Sequence, residues 1–511
     1  MFDLGRSFLA TVERSPEALA LVDGPVRLTY RQWSEKVRRL VGAFDSLGLK
    51  PGDTVATALQ NTWEMATIHW ACQLAGLTVA PFNWRIKAEE LDYCLPDAGA
   101  ALIFFQDVSS EAVAESRVAQ ALLRISAKGA AGGVLAVEAL LAGPAAAPVS
   151  RASAESLSLL LYTSGTTGRP KGVPRRHRTE RAAAVAHVAQ NCYALGERTL
   201  GVMPLYHTMG VRSLLSMALV DGTFVCQPRF DTTDALALIE QERLTCLYLV
   251  PTLYHDLLAN PRFARTDVSS VRKLGFAGAP MTDGLLQRLA AAFSPQLFVN
   301  HYGSSEVYTF TINQNAPAKP GSAGRAALNQ RIRVVKLGST DPDALAAPGE
   351  EGQIIADLAG DEAFEGYLNR PDADAKALHD GWYFTGDTGF FDADGDLFVS
   401  GRVDDMIITG GENVSPVEIE SVLSLHAGVL EVAVAGLPDE RWGQKVVAFV
   451  KRTAGVSEAD LDGHCRRSGL ANFKRPREYV FLDAIPKSPV GKILRRKLQA
   501  GEFHHERHDA V

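Results

Sequence analysis

The chain has 511 residues, of which 46% are apolar and 22% charged, with a formal net charge of −7. That length exceeds one ordinary core and predicts two or more domains, and the balance excludes a disordered or fibrous chain. A mildly acidic surface argues against a dedicated nucleic-acid binder, although local basic stretches remain suited to small anions.

The first residues, "MFDLGRSFLATVERSPEALAL", carry Asp3 and Arg6 too early for a secretory leader. "SEKVRRLVGAFDSLG" has helical spacing and ends on glycine, whereas "DTVATALQ", "LTVAPFN" and "AALIFF" read as short buried strands. Such alternation predicts α/β layers. "TIHWACQLAGLTVAPFNW" is the most apolar stretch, but His69, Gln73 and Pro81 interrupt it. A core helix entering a strand is expected there, with no membrane span. Residues 127–156 are rich in alanine, glycine and proline and read as a mobile connection with a short helix around 135–141.

A second α/β region opens with the strand "LSLLLYTS" and continues through strands near "TLGVMPL", "TFVCQ", "CLYLVP", "KLGFAG" and "LFVNHYG". From 324 to 400 short strands and turns predict a small β-barrel subdomain. A compact α/β tail follows, with the boundary expected between Arg402 and Asp405: residues 1–403 form one domain and 404–511 the other. The six cysteines are scattered, with no C-x-x-C spacing. They read as reduced thiols of a cytoplasmic protein, without a zinc site or disulfide frame. The terminal "HHERH" reads as a solvated end rather than a metal site, and "HDAV" carries no lipidation or peroxisome signal.

"YTSGTTGRPKG" (162–172) is the densest chemical signal. A strand running into a glycine-rich, hydroxylic loop is a phosphate cradle. Gly165 and Gly168 let backbone N–H groups approach an anion, Thr163, Ser164, Thr166 and Thr167 add hydroxyls, and Arg169 and Lys171 add charge. The alternative is a flexible surface turn. The loop does not fit G-x-x-x-x-G-K-[ST]. "PVGKI" fails too, with Pro486 at the first glycine and Ile493 at the hydroxyl position, so a kinase or GTPase lacks support.

This stretch resembles the signature of the adenylate-forming superfamily, which includes acyl-CoA synthetases, peptide-synthetase adenylation domains and luciferases. The resemblance covers essentially the whole chain. It continues in order through "MPLYH" (203–207), "FAGAP" (276–280), "NHYGSSE" (300–306), "YFTGD" (383–387), "GRVDDMIITGGENVSP" (401–416) and "PKSPVGKILRR" (486–496). It is strongest to the bacterial benzoate-type, 4-chlorobenzoate–CoA ligase group. The resemblance implies an α/β fold with a large N-terminal domain and a small mobile C-terminal lid. It also implies ATP, Mg2+ and coenzyme A as cofactors, and a homodimer as one assembly.

In that family a carboxylate attacks the α-phosphorus of ATP, giving acyl-AMP and pyrophosphate, and the CoA thiol then displaces AMP. The first step brings anions together, so fixed positive charge is needed. By resemblance Lys492 supplies it from the lid, and Glu306, with Thr167, holds Mg2+. Asp387 accepts the ribose hydroxyls, and Arg402 lies near ribose or phosphate. Gly278, Ala279, Pro280, Asn300, Tyr302, Gly303, Ser304 and Ser305 surround the base and its neighbours, with the ring of Tyr302 against adenine. Asp404 matches the hinge. Gly410 and Gly411 would let the pantetheine arm pass, with His207 flanking that tunnel. Arg85, Trp442, Phe473, Arg475 and Arg477 match positions that contact the CoA nucleotide.

The acyl wall, by resemblance, includes Ala184, His207, Met209, Tyr248, His301, Tyr308 and Thr309. This ring-sized set suits an aromatic or cyclic carboxylate. Buried His301, Tyr308 and Thr309 want partners and point to a substrate bearing a hydroxyl, amino or second carboxylate group. No arginine is evident among these positions, which weakens a dicarboxylate. Small residues at 182–184 leave a longer aliphatic acid open. A stand-alone enzyme loading a carrier protein, a luciferase-like oxygenase and a catalytically dead nucleotide-binding scaffold are the remaining alternatives.

Overall fold

The structure is a computed structural model that describes residues 2–163, 169–402, 405–488 and 493–506. Three sheets organise it. One has seven strands in the order 135–136, 123–126, 100–105, 54–58, 78–81, 157–163 and 171–176. Its pairings are parallel until the last, where Leu157–Thr163 turns back antiparallel on Lys171–Arg176.

The second sheet begins as a parallel array of Leu19–Asp23, Thr223–Cys226, Arg198–Gly201, Cys246–Leu249, Lys273–Phe276 and Leu297–Tyr302. Through Thr311–Asn313 it changes to antiparallel pairing and runs on into Ser322–Ala326, Leu397–Arg402, Trp382–Phe391, Gly352–Asp357 and Ile332–Lys336. The short strands expected between 324 and 400 are therefore present, and they continue the parallel sheet.

Local chemistry explains the helices between these sheets. Tyr30–Ser46 starts with a capping box, Thr29 with Gln32, and buries Tyr30, Trp33, Val37, Leu40, Val41 and Phe44 at helical spacing. Trp63–Ala75 is buried all round, which a helix sandwiched inside the protein requires. It starts at the Thr62 cap and stops at Gly76, whose φ of 73° is left-handed. The expected core helix entering a strand is this helix followed by Thr78–Pro81. Phe8 stacks on Trp70 at 4.8 Å and meets Trp33 edge-on, joining three helices in the largest core.

The connection 127–156 is pinned to the protein surface. Arg38 Nε donates to the Ala146 carbonyl at 2.7 Å, Arg39 Nη1 to that of Gly143 at 2.9 Å, and the Arg151 N–H to that of Leu74 at 2.9 Å. Its short helix is Val137–Leu141. Composition predicts mobility there, but arginines on a neighbouring helix satisfy the loop's carbonyls.

The third sheet takes Glu412–Val414, Ile407–Thr409, Gly443–Arg452, Val429–Asp439 and Glu478–Phe481, with its own apolar cores. Helix Pro416–Ser424 meets helix Asp283–Phe293, where the Gly284 N–H donates to Ser424 Oγ at 3.2 Å. All six cysteines are free, and only Cys192 is exposed. Among the described residues no helix is long and apolar enough to cross a membrane.

Candidate active site

The two ends of the glycine-rich stretch lie on the paired strands Leu157–Thr163 and Lys171–Arg176, with Tyr162 opposite Gly172 and Thr163 opposite Lys171. Ser164, Gly165, Thr166, Thr167 and Gly168 lie outside the described residues, as do Asp404 and Lys492. The stems are anchored. Tyr162 donates its hydroxyl to Asp97 Oδ2 at 2.7 Å and packs edge-on against Phe82.

Beside the second stem the Lys171 ammonium sits 4.0 Å from the ring centroid of Tyr367. The Tyr367 hydroxyl donates to Glu306 Oε1 at 2.7 Å. Burial draws the Lys171 ammonium below its ordinary pKa, against the pull of the Glu306 carboxylate. Burial and the same carboxylate push the Tyr367 phenol up. A cation and a hard carboxylate therefore flank the hairpin, a donor set that fits a magnesium-bound phosphate chain. Ser304 Oγ accepts from the N–H groups of Glu306 and Val307, which fixes the turn carrying Glu306. Gly303 is required there, because a Cβ would lie 1.9 Å from the Tyr308 carbonyl oxygen.

A second group forms around Asp387. Tyr302 donates its hydroxyl to Asp387 Oδ2 at 2.6 Å, and Arg402 Nε lies 3.2 Å from Oδ1. Residues 387 and 402 face each other across adjacent strands. The ring of Tyr302 packs edge-on against Phe310 at 5.0 Å. Asn300 anchors its strand by donating to the Ser322 carbonyl at 3.0 Å. Gly278, with φ of 83°, brings the 276–280 loop next to Met209 and Val250, with Ala279 half-buried and Pro280 exposed beyond it.

The residues expected for the acyl wall cluster. His207 caps helix Thr208–Leu219, its Nδ1 accepting from the Met209 N–H at 3.3 Å. Tyr248 lies 5.0 Å from His301, and Ala183, Ala184, Tyr308 and Thr309 are buried. The structure adds residues that the sequence pattern missed. Arg175, fully buried, donates Nε to Glu180 Oε1 at 2.8 Å and Nη1 to the Glu306 carbonyl at 3.0 Å. Glu180 Oε2 accepts from the Tyr308 hydroxyl at 2.9 Å. Arg212, at 3% exposure, lies 4.9 Å from the Tyr308 ring centroid, with Nη1 3.5 Å from the Tyr248 hydroxyl. None of the expected wall positions is itself an arginine, but Arg212 lies against two of them. Arg212 follows Met209 by one helical turn, and Glu180, Ala184, His187 and Asn191 share one face of helix His177–Gln190 and its cap. Those spacings are the signal that would have found them.

The residues expected to meet CoA lie in two places. Arg85 stacks on Trp84 at 3.6 Å, near Tyr206 and Arg229. On the small sheet Gly410 and Gly411 make a tight hairpin turn at positive φ. The Gly410 N–H donates to the Trp442 carbonyl at 2.9 Å, and Arg477 lies 4.4 Å from the Trp442 ring centroid. Phe473 is exposed, and Arg475 pairs with Asp462 at 2.7 Å. Just beyond the segment containing Lys492, Arg495 is held by Glu420 at 2.6 Å and by the Val434 carbonyl at 3.1 Å.

Residues 8–368 match the AMP-binding enzyme family and residues 418–492 its C-terminal domain. The chain belongs to the AMP-binding enzyme family. It is 33% identical to a 4-chlorobenzoate–CoA ligase from Arthrobacter sp, over 96% of this chain and 93% of that one. It is 35% identical to a feruloyl-CoA synthase from Amycolatopsis sp, over 95% and 96%. Its fold superposes on the crystal structure of an anthranilate CoA ligase in complex with anthranoyl-AMP with a TM-score of 0.90. The identity there is 26%, over 98% of this chain and 97% of that one. As a member of this family the chain is an AMP-forming acyl-CoA synthetase, an acid–thiol ligase using ATP, Mg2+ and CoA.

Proposed function

We propose that the chain activates an aromatic or cyclic carboxylate, first to acyl-AMP with release of pyrophosphate and then to the CoA thioester. The observation that carries this reading is the adjacency of two groups. Arg175 binds the Glu306 carbonyl on the phosphate side and, through Glu180, the Tyr308 hydroxyl on the acyl side. The wall in this reading is built from Tyr248, His301, Tyr308 and Met209, all buried.

In this reading Lys171 and the hairpin loop of Ser164, Gly165, Thr166, Thr167 and Gly168 neutralise the polyphosphate. Glu306 and Thr167 hold Mg2+. Asp387, set by Tyr302 and Arg402, accepts the ribose hydroxyls, and Lys492 supplies charge to the carboxylate and α-phosphate. Domain movement about Asp404 would then replace Lys492 by the Gly410–Gly411 turn, with Trp442, Arg477, Phe473 and Arg85 meeting CoA and His207 beside its thiol. Bound Mg2+ supplies charge neutralisation on the phosphates; positioning and desolvation are left to the residues named. The all-reduced thiols fit a cytosolic setting.

The test is pyrophosphate release across benzoates, cyclohexane carboxylates, malonate and fatty acids, each with and without CoA. A CoA-dependent signal with a ring acid is expected. A signal confined to linear or dicarboxylic acids would overturn the substrate class.

A further inference from the structure

Behind the aromatic acyl wall lies a cluster of buried polar atoms that the protein does not satisfy. His187, Tyr248 and His301 pack together, with ring centroids 4.7 Å apart for His187 and Tyr248 and 5.0 Å apart for His187 and His301. Asn191 sits between the histidines. Its Oδ1 is 3.1 Å from His301 Nε2, and its Nδ2 is 3.1 Å from His187 Nδ1. The Asn191 amide thereby sets both tautomers: His301 carries its proton on Nε2, and His187 carries its proton on Nε2. Burial and the nearby Arg212 charge hold both rings neutral, with pKa values well below the ordinary range.

What remains open is a mixed set. His187 Nε2 and Arg212 Nε are buried donors without a partner, and His301 Nδ1 and Glu362 Oε2 are buried acceptors without one. Arg212 is 3% and Glu362 0% exposed. They act on each other electrostatically. Glu362 Oε1 is held by Asn329 Nδ2 at 3.3 Å, and Thr309 also acts on the carboxylate, while Oε2 keeps no close partner. An unpaired buried polar atom carries a desolvation cost that a bound group with the matching donor or acceptor removes.

We propose that this cluster is the specificity determinant for a hydroxyl group on the acyl substrate, with Arg212 donating to its oxygen and Glu362 or His301 accepting its proton. A second carboxylate would satisfy the donors but would meet the His301 lone pair and the Glu362 oxygen with acceptors alone. An apolar acid would leave both sets open. A hydroxyl both accepts and donates, so it answers the donors and the acceptors together. The inference rests on the reading that the wall of Tyr248, His301 and Tyr308 holds the acyl group.

The experiment measures kcat/KM by pyrophosphate release for matched acids: plain and hydroxylated, ring and chain, with the corresponding dicarboxylates. Wild type, Arg212→Met and Glu362→Gln are compared, with thermal melting to confirm folding. Wild type should favour the hydroxylated member of a pair by at least about tenfold, as a site built for a hydroxyl rejects the analogue lacking it. Both variants should shrink that ratio towards one. A wild-type preference for plain or dicarboxylic acids would overturn the proposal. Equal loss on every acid in both variants would also do so, marking the cluster as structural only. The ring reading is judged separately, by ring against chain within each pair, and silence with every acid would sink both. Glu362→Gln keeps the side-chain volume, so the ratio remains measurable if Arg212→Met does not fold.

Discussion

Tyr302→Phe isolates one hydrogen bond in the proposed nucleotide site. The phenylalanine keeps the ring packed on Phe310 and removes only the hydroxyl that donates to Asp387 at 2.6 Å. Arg402, which also pairs with that carboxylate, is half exposed, and such an exposed pair contributes about 0–1 kcal/mol. A hydrogen bond to a charged group contributes about 1.5–3 kcal/mol. Tyr302 therefore outweighs Arg402 in placing Asp387. Because the carboxylate keeps some contact with water, the lower end applies, about 1.5 kcal/mol, or about tenfold in an equilibrium constant. With acid and CoA saturating, pyrophosphate release at varied ATP should show KM for ATP raised about tenfold. kcat should fall less, because the ribose does not react. KM for the acid should not move. A kcat/KM for ATP within about twofold of wild type, in a protein that melts normally, would refute the reasoning that this hydroxyl sets the ribose acceptor.

Arg175→Met breaks a fully buried ion pair and strands Glu180, so it should cost about 3–5 kcal/mol in urea unfolding; a loss below about 1 kcal/mol would mean that the pair is dispensable. His69 is buried without a partner for either ring nitrogen, and burial lowers its pKa to about 3. Its unfolded form binds a proton below about pH 6.5, so its contribution is present above that pH and is lost as pH falls, by about 1.4 kcal/mol between pH 7.5 and 5.5. His177, lowered to about 4, behaves alike, and the raised buried carboxyls Glu64 and Glu362 oppose the trend. His69→Met should flatten the pH dependence of the unfolding free energy by that amount, and an unchanged slope would contradict the assignment. Trp442→Ala removes the ring packed on Gly410 and should raise KM for CoA while leaving that for ATP alone. Equal effects on both would remove Trp442 from the CoA site.

The phosphate hairpin is legible because its chemistry is contiguous: glycines, hydroxyls and cations fall within eleven residues of a strand. Asp387 and Arg402 are legible only through family motifs, since their meeting depends on strand pairing between distant segments. Arg175 and Glu362 are illegible for a plainer reason. A charged residue is expected at the surface, and only partners folded against it justify burial. The same limit explains the sheet. The short strands after 324 show their turns locally, but their continuity with the parallel array rests on Asn300–Tyr302 pairing with Thr311–Asn313. The pinning of 127–156 by Arg38 and Arg39 has no local signature at all.

The central claim is a two-step reaction on one chain, and rapid-quench analysis of the enzyme-bound products tests it most directly. With ATP, Mg2+ and a productive acid but no CoA, acyl-AMP should accumulate to about one equivalent per chain, with matching pyrophosphate. Addition of CoA should convert it to thioester and AMP without further ATP. ADP in place of AMP, or thioester formed with no acyl-AMP preceding it, would contradict the account.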